Sequence, residues 1–218
     1  MPRALFEKTG NAVWMSHLDL MRLLQRAFKR AELHLKHTQG FNPRPSVSIA
    51  LPMSVGVESV CELLDFDLEG QSISCDEIRG RLNGALVEGV TVREVYEEGA
   101  KLKHLAFLDC ELTLEYDSGV PVDAAAKIHE LLTTSAVVEK RGKNGTSQQD
   151  IVPMIRSLLL AQTDANSLTM HTRICCQNPT LNPALIAAAV ERYLPECRPD
   201  HVRYRRMEVY DTENNIFR

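Results

Sequence analysis

A helix signal with marked ends lies near the amino terminus and constrains the fold more than any other segment. Ser16 is a residue type that caps helices, and Asp19 places a carboxylate near the positive end of the helix. The apolar residues that follow repeat with the 3.6-residue period of a helix that buries one face; they are Leu20, Leu23, Leu24, Ala27, Phe28 and Ala31. The sequence therefore predicts an amphipathic helix that begins after Ser16 and packs on an apolar layer.

Short runs with strand character surround this helix. The predicted order in the first hundred residues is β-α-β-β-α-β, which is typical of the ferredoxin-like fold. After a polar break at Glu97–Lys101 the order repeats, with a longer middle that contains a polar loop at Arg141–Gln149 and a segment, Ile151–Leu160, that fits strand or helix. We expect an α+β protein of two tandem ferredoxin-like units, the second elaborated, with domains over residues 1–100 and 101–218.

The last predicted strand contains a break in its alternation. Its apolar side chains fall at Val202, Tyr204, Met207 and Val209, so the pattern slips by one residue. A slip predicts a bulge near Arg205 and Arg206, or a strand that ends there. A bulge would turn both arginines outward.

Composition excludes several classes of protein. No apolar run approaches the roughly 20 residues that span a bilayer, and the amino terminus MPRALFEKTG lacks the apolar region of a secretory signal, so we expect a cytoplasmic protein without membrane contact. The six cysteines have no CxxC spacing and fit small apolar core residues; they are Cys61, Cys75, Cys110, Cys175, Cys176 and Cys197. We therefore expect neither a metal site nor a cofactor.

The first helix and the loop after it concentrate positive charge on an acidic chain. Between His17 and Pro45 there are six Lys or Arg and two acids, a local charge of +4, whereas the whole chain carries −4. A positive patch on an acidic protein is typical of a site for a polyanion. The helix contributes Arg22, Arg26, Lys29 and Arg30. The alternative is an ordinary solvated helix face.

The loop Gln39–Pro45 has the side chains of a single-stranded RNA site. Phe41 offers a stacking surface and Arg44 a cation, while Gln39 and Asn42 offer hydrogen bonds to base edges. The alternative is a structural loop with Phe41 packed in the core. If the loop binds RNA, we expect it to form one RNA-binding surface with the cations of the helix.

His17 at the helix start raises an enzyme alternative. An imidazole there could act as a general base beside an RNA 2′-hydroxyl, but Asp19 lies two positions on and does not share its helix face. The chain has no Ser/His/Asp, P-loop or dinucleotide-binding pattern. We expect that the chain is not an enzyme on its own, and His17 is the one candidate catalytic residue.

The run from Lys8 to Leu68 resembles the opening of a bacterial radical SAM-linked domain of unknown function. The resemblance is carried by S-H-L-D-L-M-R at the helix start, by Q-G-F-N-P-R-P in the loop and by G-V-E-S before an acidic-apolar strand. It extends over residues 3–95 and is fainter beyond, where IVPMIRSLLL and VRYRRMEVY are similar. The family is often fused to, or encoded beside, a B12-binding-type radical SAM protein.

The resemblance implies a partnership with a radical SAM enzyme. The chain lacks the CxxxCxxC triad of such enzymes, so the resemblance implies an RNA-binding or substrate-presenting accessory protein, in tRNA or rRNA modification. Two alternatives stay open. One is a metal-independent endoribonuclease of RAMP-like fold, with His17 as base and Arg22 or Arg26 at the phosphate. The other is a protein-interaction module that docks the radical SAM partner.

Overall fold

A computed structural model of the protein describes residues 1–70, 73–142 and 145–218, which form two compact units. The first unit consists of residues 1–104 together with 216–218, and the second of residues 105–215. Within the described residues no helix has both the length and the apolar character needed to cross a membrane. The protein is of the α+β class.

The first unit contains four strands and two helices among its described residues. They are β1 (Arg3–Lys8), α1 (His17–Arg30), β2 (Val47–Ile49), β3 (Val57–Phe66), α2 (Cys75–Ala85) and β4 (Val90–Tyr96). The strands pair antiparallel in the order β4-β1-β3-β2. Two short 3₁₀ helices accompany them, at Gly10–Trp14 and Leu102–His104.

Alternation in β1 and β3 directs one row of side chains at the helices. Ala4 pairs with Leu64 in register, and both are buried in one core with Leu24 of α1. The rings of Phe28 and Phe66 lie 5.1 Å apart at an angle of 54°. Burying one such side chain contributes roughly 1.5–3 kcal/mol. This packing fixes which face of α1 is left to solvent.

The second unit contains six strands and two helices among its described residues. They are β5 (Leu105–Glu115), α3 (Ala124–Thr134), β6 (Val137–Gly142), β7 (Gly145–Asp150), β8 (Ile155–Gln162), β9 (Ser167–Cys175), α4 (Ala184–Tyr193) and β10 (His201–Asp211). Four strands pair antiparallel in the order β10-β5-β9-β8, while β6 and β7 form a separate hairpin. Short 3₁₀ helices lie at Val152–Met154 and Pro195–Cys197.

The predicted polar loop at Arg141–Gln149 is wrong in its described part. Strands β6 and β7 pair from Val137 opposite Asp150 to Gly142 opposite Gly145, and residues 143 and 144 lie outside the described residues. The second strand of this hairpin is polar, so the sequence lacks the alternation of apolar and polar residues from which a strand is predicted. The segment Ile151–Leu160, whose sequence fits strand or helix, contains Pro153 in a 3₁₀ helix and is a strand, β8, from Ile155 onward.

The predicted bulge in the last strand is confirmed. The register of β10 against β5 shifts between Arg206 and Glu208. The expectation that both arginines turn outward is wrong for Arg206, which is 9% exposed. Arg206 lies opposite Cys110, itself buried, so its register position places it on the buried side of the strand.

The six cysteines are all free thiols. Five are buried, which confirms their interpretation as small core residues, and Cys75 at the start of α2 is half-buried. Burial, with the nearby carboxylates of Glu97 and Asp76, raises the pKa of the Cys75 thiol. In the part of the chain that the structure describes, no group of three His, Cys, Asp or Glu side chains could hold a metal ion.

Candidate nucleic-acid interface

Helix α1 begins at the predicted cap. The Ser16 Oγ accepts the backbone N–H of Asp19 at 3.2 Å and donates to its carboxylate at 2.7 Å, so the predicted N-cap is confirmed. The apolar face of the helix is buried in the core described above. The four predicted cations of the helix are therefore exposed; they are Arg22, Arg26, Lys29 and Arg30.

The structure brings three of these cations together. Arg22, Arg26 and Arg30 line a cleft of about 450 Å³ that Val87, after α2, borders on the other side. The Arg30 guanidinium donates to the backbone oxygen of Ala85 at 2.6 Å, which ties α1 to α2. We call this feature the arginine cleft. Lys29 does not line it, so the four predicted cations of the helix do not share one cleft.

One acid lines the arginine cleft beside its three arginines. The carboxylate of Asp19 lies 3.3 Å from the Arg22 guanidinium, and both side chains are largely exposed. An exposed pair of this kind contributes well under about 1 kcal/mol, so it holds Arg22 only loosely. The cleft therefore keeps an excess of positive charge available to an anionic ligand.

Hydrogen bonds of the backbone close the loop Gln39–Pro45 at its base. The Thr38 N–H donates to the Arg44 oxygen at 2.8 Å, and the Arg44 N–H donates to the Thr38 hydroxyl at 3.0 Å. The Ser46 N–H donates to the Lys36 oxygen at 2.7 Å, one step further from the tip. Gly40 adopts a φ of +143°, a conformation that favours glycine. These contacts hold the loop in one closed turn.

The tip of this loop presents its side chains to solvent. Phe41 is fully exposed, so the alternative in which its ring packs in the core is wrong. Gln39, Asn42 and Arg44 are exposed as well. Because the ring is exposed, it contributes no hydrophobic stabilisation to the folded chain. The loop thus offers an aromatic face, two amides and a cation within six residues of chain.

Three of the predicted cations are uncompensated. Within residues 1–70, 73–142 and 145–218, the side chains of Arg26, Lys29 and Arg44 form no hydrogen bond or ion pair. Lys36, by contrast, pairs with Asp67 at 3.1 Å. A phosphate oxygen can bind such an exposed cation without breaking an existing ion pair or hydrogen bond.

The surroundings of His17 do not form an acid–base site. Its Nδ1 is buried and finds no hydrogen-bond partner among the described residues. The Asp19 carboxylate is engaged with Ser16 and Arg22 instead. Nothing described in the structure orients the imidazole, as a general base requires.

Sequence reasoning missed the residues that fix the start of α1. Lys8 is fully buried, and its Nζ donates to the backbone oxygens of Met15 at 3.1 Å and Ser54 at 3.4 Å. Within β3, which pairs with β1, the Ser59 hydroxyl donates to Glu62 at 2.8 Å. The available signal was the alternation in β1, since Lys8 follows Ala4 and Phe6 on the core side. His34 and Glu69, which line a cavity together with Lys29, were not singled out either.

Two solved structures share the fold of this chain. A Cbf5-Nop10-Gar1 complex matches 95% of it with a TM-score of 0.53 and 9% identity, over 48% of the matched chain. An H/ACA RNP bound to a substrate RNA containing 2′-deoxyuridine matches 94% of it with a TM-score of 0.50 and 9% identity, over 46% of that chain. The protein thus spans about half the length of these relatives, and at such identities the likeness is one of fold alone.

Sequence comparison gives the family. No curated protein matches the chain. A profile described as "Uncharacterized protein conserved in bacteria (DUF2344)" matches residues 2–183, which is most of the sequence. The chain therefore belongs to the DUF2344 family of uncharacterized proteins conserved in bacteria.

Proposed function

We propose that the protein binds RNA through the outer face of α1 and the loop Gln39–Pro45. The observation that carries the proposal is the combination of uncompensated cations with the fully exposed ring of Phe41 in one unit. Phosphate oxygens would meet Arg26 and the rest of the arginine cleft, and an unpaired base would stack on Phe41. The phosphate contacts supply affinity, and the loop selects single-stranded segments.

The fold likeness supports an RNA ligand. One matched structure is an H/ACA RNP that holds a substrate RNA, and the present chain covers about half of the matched protein. That property belongs to the matched protein. It agrees with the chemistry of the exposed side chains of α1 and of the loop.

We also propose that the protein is an accessory to a radical SAM enzyme that modifies tRNA or rRNA. This part rests on the family resemblance of the α1 and loop motifs. Co-purification of the two proteins after nuclease treatment tests it. A complex that survives nuclease but needs no RNA-binding residue would favour the alternative of a protein-interaction module.

We further propose that both units are ferredoxin-like, with domains close to residues 1–100 and 101–218. The first unit pairs its strands in the order β4-β1-β3-β2, and the second pairs four of its strands in the order β10-β5-β9-β8. With the β6–β7 hairpin left out, both orders are fourth, first, third, second along the chain, which supports this assignment. The hairpin of β6 and β7 would then be the elaboration of the second unit. Limited proteolysis that cuts first near residue 100 would support the boundary.

Replacement of the arginine cleft tests RNA binding. The variant Arg22→Gln, Arg26→Gln, Arg30→Gln should lose retention of cellular RNA at low salt while its circular dichroism spectrum is unchanged. The matched control is Arg192→Gln, Arg198→Gln, Arg203→Gln, which removes three exposed arginines from the second unit and changes the net charge equally. Equal retention by both variants would contradict the proposal.

A further inference from the structure

A second cavity lies on the other flank of α1 from the arginine cleft, and Lys29 is the one predicted site residue that lines it. Its volume is about 440 Å³. The floor is apolar and consists of Phe28, Leu33 and Leu35, all buried. The rim is polar and includes Gln25, Lys29, His34, His37 and Glu69. We call this feature the His34 cavity.

Backbone hydrogen bonds build the walls of the His34 cavity. The Leu33 N–H donates to the Phe28 oxygen at 2.9 Å where α1 ends. The Glu69 N–H donates to the His34 oxygen at 2.8 Å, and His37 pairs with Pro45 across the base of the loop. Because backbone contacts set these walls, the cavity exists before a ligand arrives, as most small-molecule sites do.

The lining selects among ligand classes. A bare phosphate would have to approach the carboxylate of Glu69, and an aliphatic chain would form no hydrogen bond with Gln25, Lys29 or Glu69. A nucleotide offers an apolar ring face to the floor, polar ring edges to the rim and a phosphate to Lys29. The volume also lies within the roughly 300–1,000 Å³ of small-molecule sites.

Glu69 determines which base fits best. An ionised carboxylate only accepts hydrogen bonds, through two oxygens. Guanine presents two adjacent donors on its Watson–Crick edge, N1–H and the N2 amino group, whereas each of the other three RNA bases presents one donor group there. Glu69 is exposed and its side chain has no partner among the described residues, so it is available to accept both.

We propose that the His34 cavity holds one unstacked guanine nucleotide of a bound RNA. The base lies over the apolar floor, its Watson–Crick edge donates to Glu69, and its phosphate contacts Lys29. The loop runs on from the cavity wall at His37 and Pro45, so a neighbouring base of the same strand reaches Phe41. This inference rests on the proposed RNA binding and adds a base preference to it.

Fluorescence anisotropy with labelled oligonucleotides tests the guanine subsite. The probes are a short oligouridine and the same oligouridine with a single central guanosine or adenosine. We expect the guanosine probe to bind about tenfold more tightly than the adenosine probe, the discrimination of one bidentate pair. Glu69→Gln should abolish that preference, whereas Glu88→Gln should leave it at about tenfold. Glu88 is an exposed glutamate of the same unit outside the cavity.

The outcomes separate this inference from the proposed function. Oligouridine binding with equal affinity for the guanosine and adenosine probes overturns the guanine subsite and leaves RNA binding standing. A preference that persists in Glu69→Gln overturns the subsite as well. If the unsubstituted protein binds none of the probes, the proposed function itself fails.

Discussion

Arg3 and Asp65 face each other across β1 and β3 and form a buried bidentate ion pair. The Arg3 Nε and Nη2 donate to the two carboxylate oxygens at 2.6 and 2.9 Å, and the Arg3 guanidinium lies 5.0 Å from the centre of the Phe217 ring. The second unit contains a similar pair between β5 and β9, with the aspartate on β5 and the arginine on β9. Arg173 donates to Asp109 at the same two distances and stacks on Tyr210 at 3.7 Å.

The two pairs differ in burial, and this difference predicts their contributions to stability. Asp65→Asn leaves the Arg3 charge buried without a counterion, and we expect a loss of about 3 kcal/mol in the free energy of unfolding. Asp109→Asn should lower the free energy of unfolding by only about 1 kcal/mol, because the second pair is more exposed to solvent. The Asp109 and Arg173 side chains are 30% and 23% exposed, whereas those of Asp65 and Arg3 are 12% and 2% exposed. Urea unfolding followed by circular dichroism measures both. Equal losses would show that burial does not set the cost.

Phe41 should act through stacking alone. We expect Phe41→Ala to weaken binding of single-stranded RNA by about 1–3 kcal/mol and Phe41→Tyr to retain it, since tyrosine keeps the ring. The unfolding midpoint should not change, because the ring contacts solvent. Leu159→Ala, which removes another exposed apolar side chain, is the control. A Phe41→Ala variant with full affinity would place the RNA elsewhere.

Salt dependence should distinguish neighbouring arginines of the cleft. Each phosphate contact to a single strand contributes a slope of about −0.7 in the logarithm of affinity against the logarithm of salt concentration. Arg26→Gln should reduce the slope by about that amount. Arg22→Gln should reduce it less, because Asp19 already lies 3.3 Å from that guanidinium. Binding titrations over a series of salt concentrations provide the slopes, and the reverse ranking would contradict the assignment.

Tyr116 should weaken the folded state at alkaline pH. Burial raises the pKa of Tyr116 to about 12 from its ordinary 10, with Cys197 and Asp200 adding to the shift, and its hydroxyl donates to the Cys197 oxygen at 3.0 Å. The folded state therefore holds the proton more tightly than the unfolded chain. Its contribution is complete below about pH 10 and is lost as the pH rises toward 12, by up to about 1.4 kcal/mol per pH unit.

Replacement of the hydroxyl tests this pH dependence. Tyr116→Phe should lose about 1 kcal/mol at neutral pH with its hydrogen bond, yet show a shallower fall in stability above about pH 10. Part of the fall should remain, because burial also raises the pKa values of Tyr204 and Tyr210. Urea midpoints measured on both sides of that pH give the two slopes. Identical slopes would exclude Tyr116 as the cause.

Helices with local end signals could be predicted from the sequence. The Ser16 cap and the 3.6-residue period of the apolar residues located α1, which begins at His17. The cap signal is local, since it acts within the first turn of the helix. The side chains of the loop Gln39–Pro45 could also be named as candidates, because their chemistry does not depend on distant contacts.

Features set by distant contacts could not be predicted. The division of the cations of α1 between two cavities depends on Val87 and Glu69, which come from segments far along the chain. The polar strand β7 is specified by its partner β6 and not by a pattern of its own. The hydrogen bonds of Lys8 could not be predicted either, because the backbone oxygens that accept them belong to Met15 and Ser54.

Residues 216–218 belong to the first unit although they follow the second unit in the chain. The Ala100 N–H donates to the Arg218 oxygen at 2.8 Å, and the Phe217 ring lies against Arg3. Because a ribosome makes the chain from its amino terminus, the ring that covers Arg3 emerges only after all of the second unit has been translated. The amino-terminal unit is the first to appear and the second to be completed.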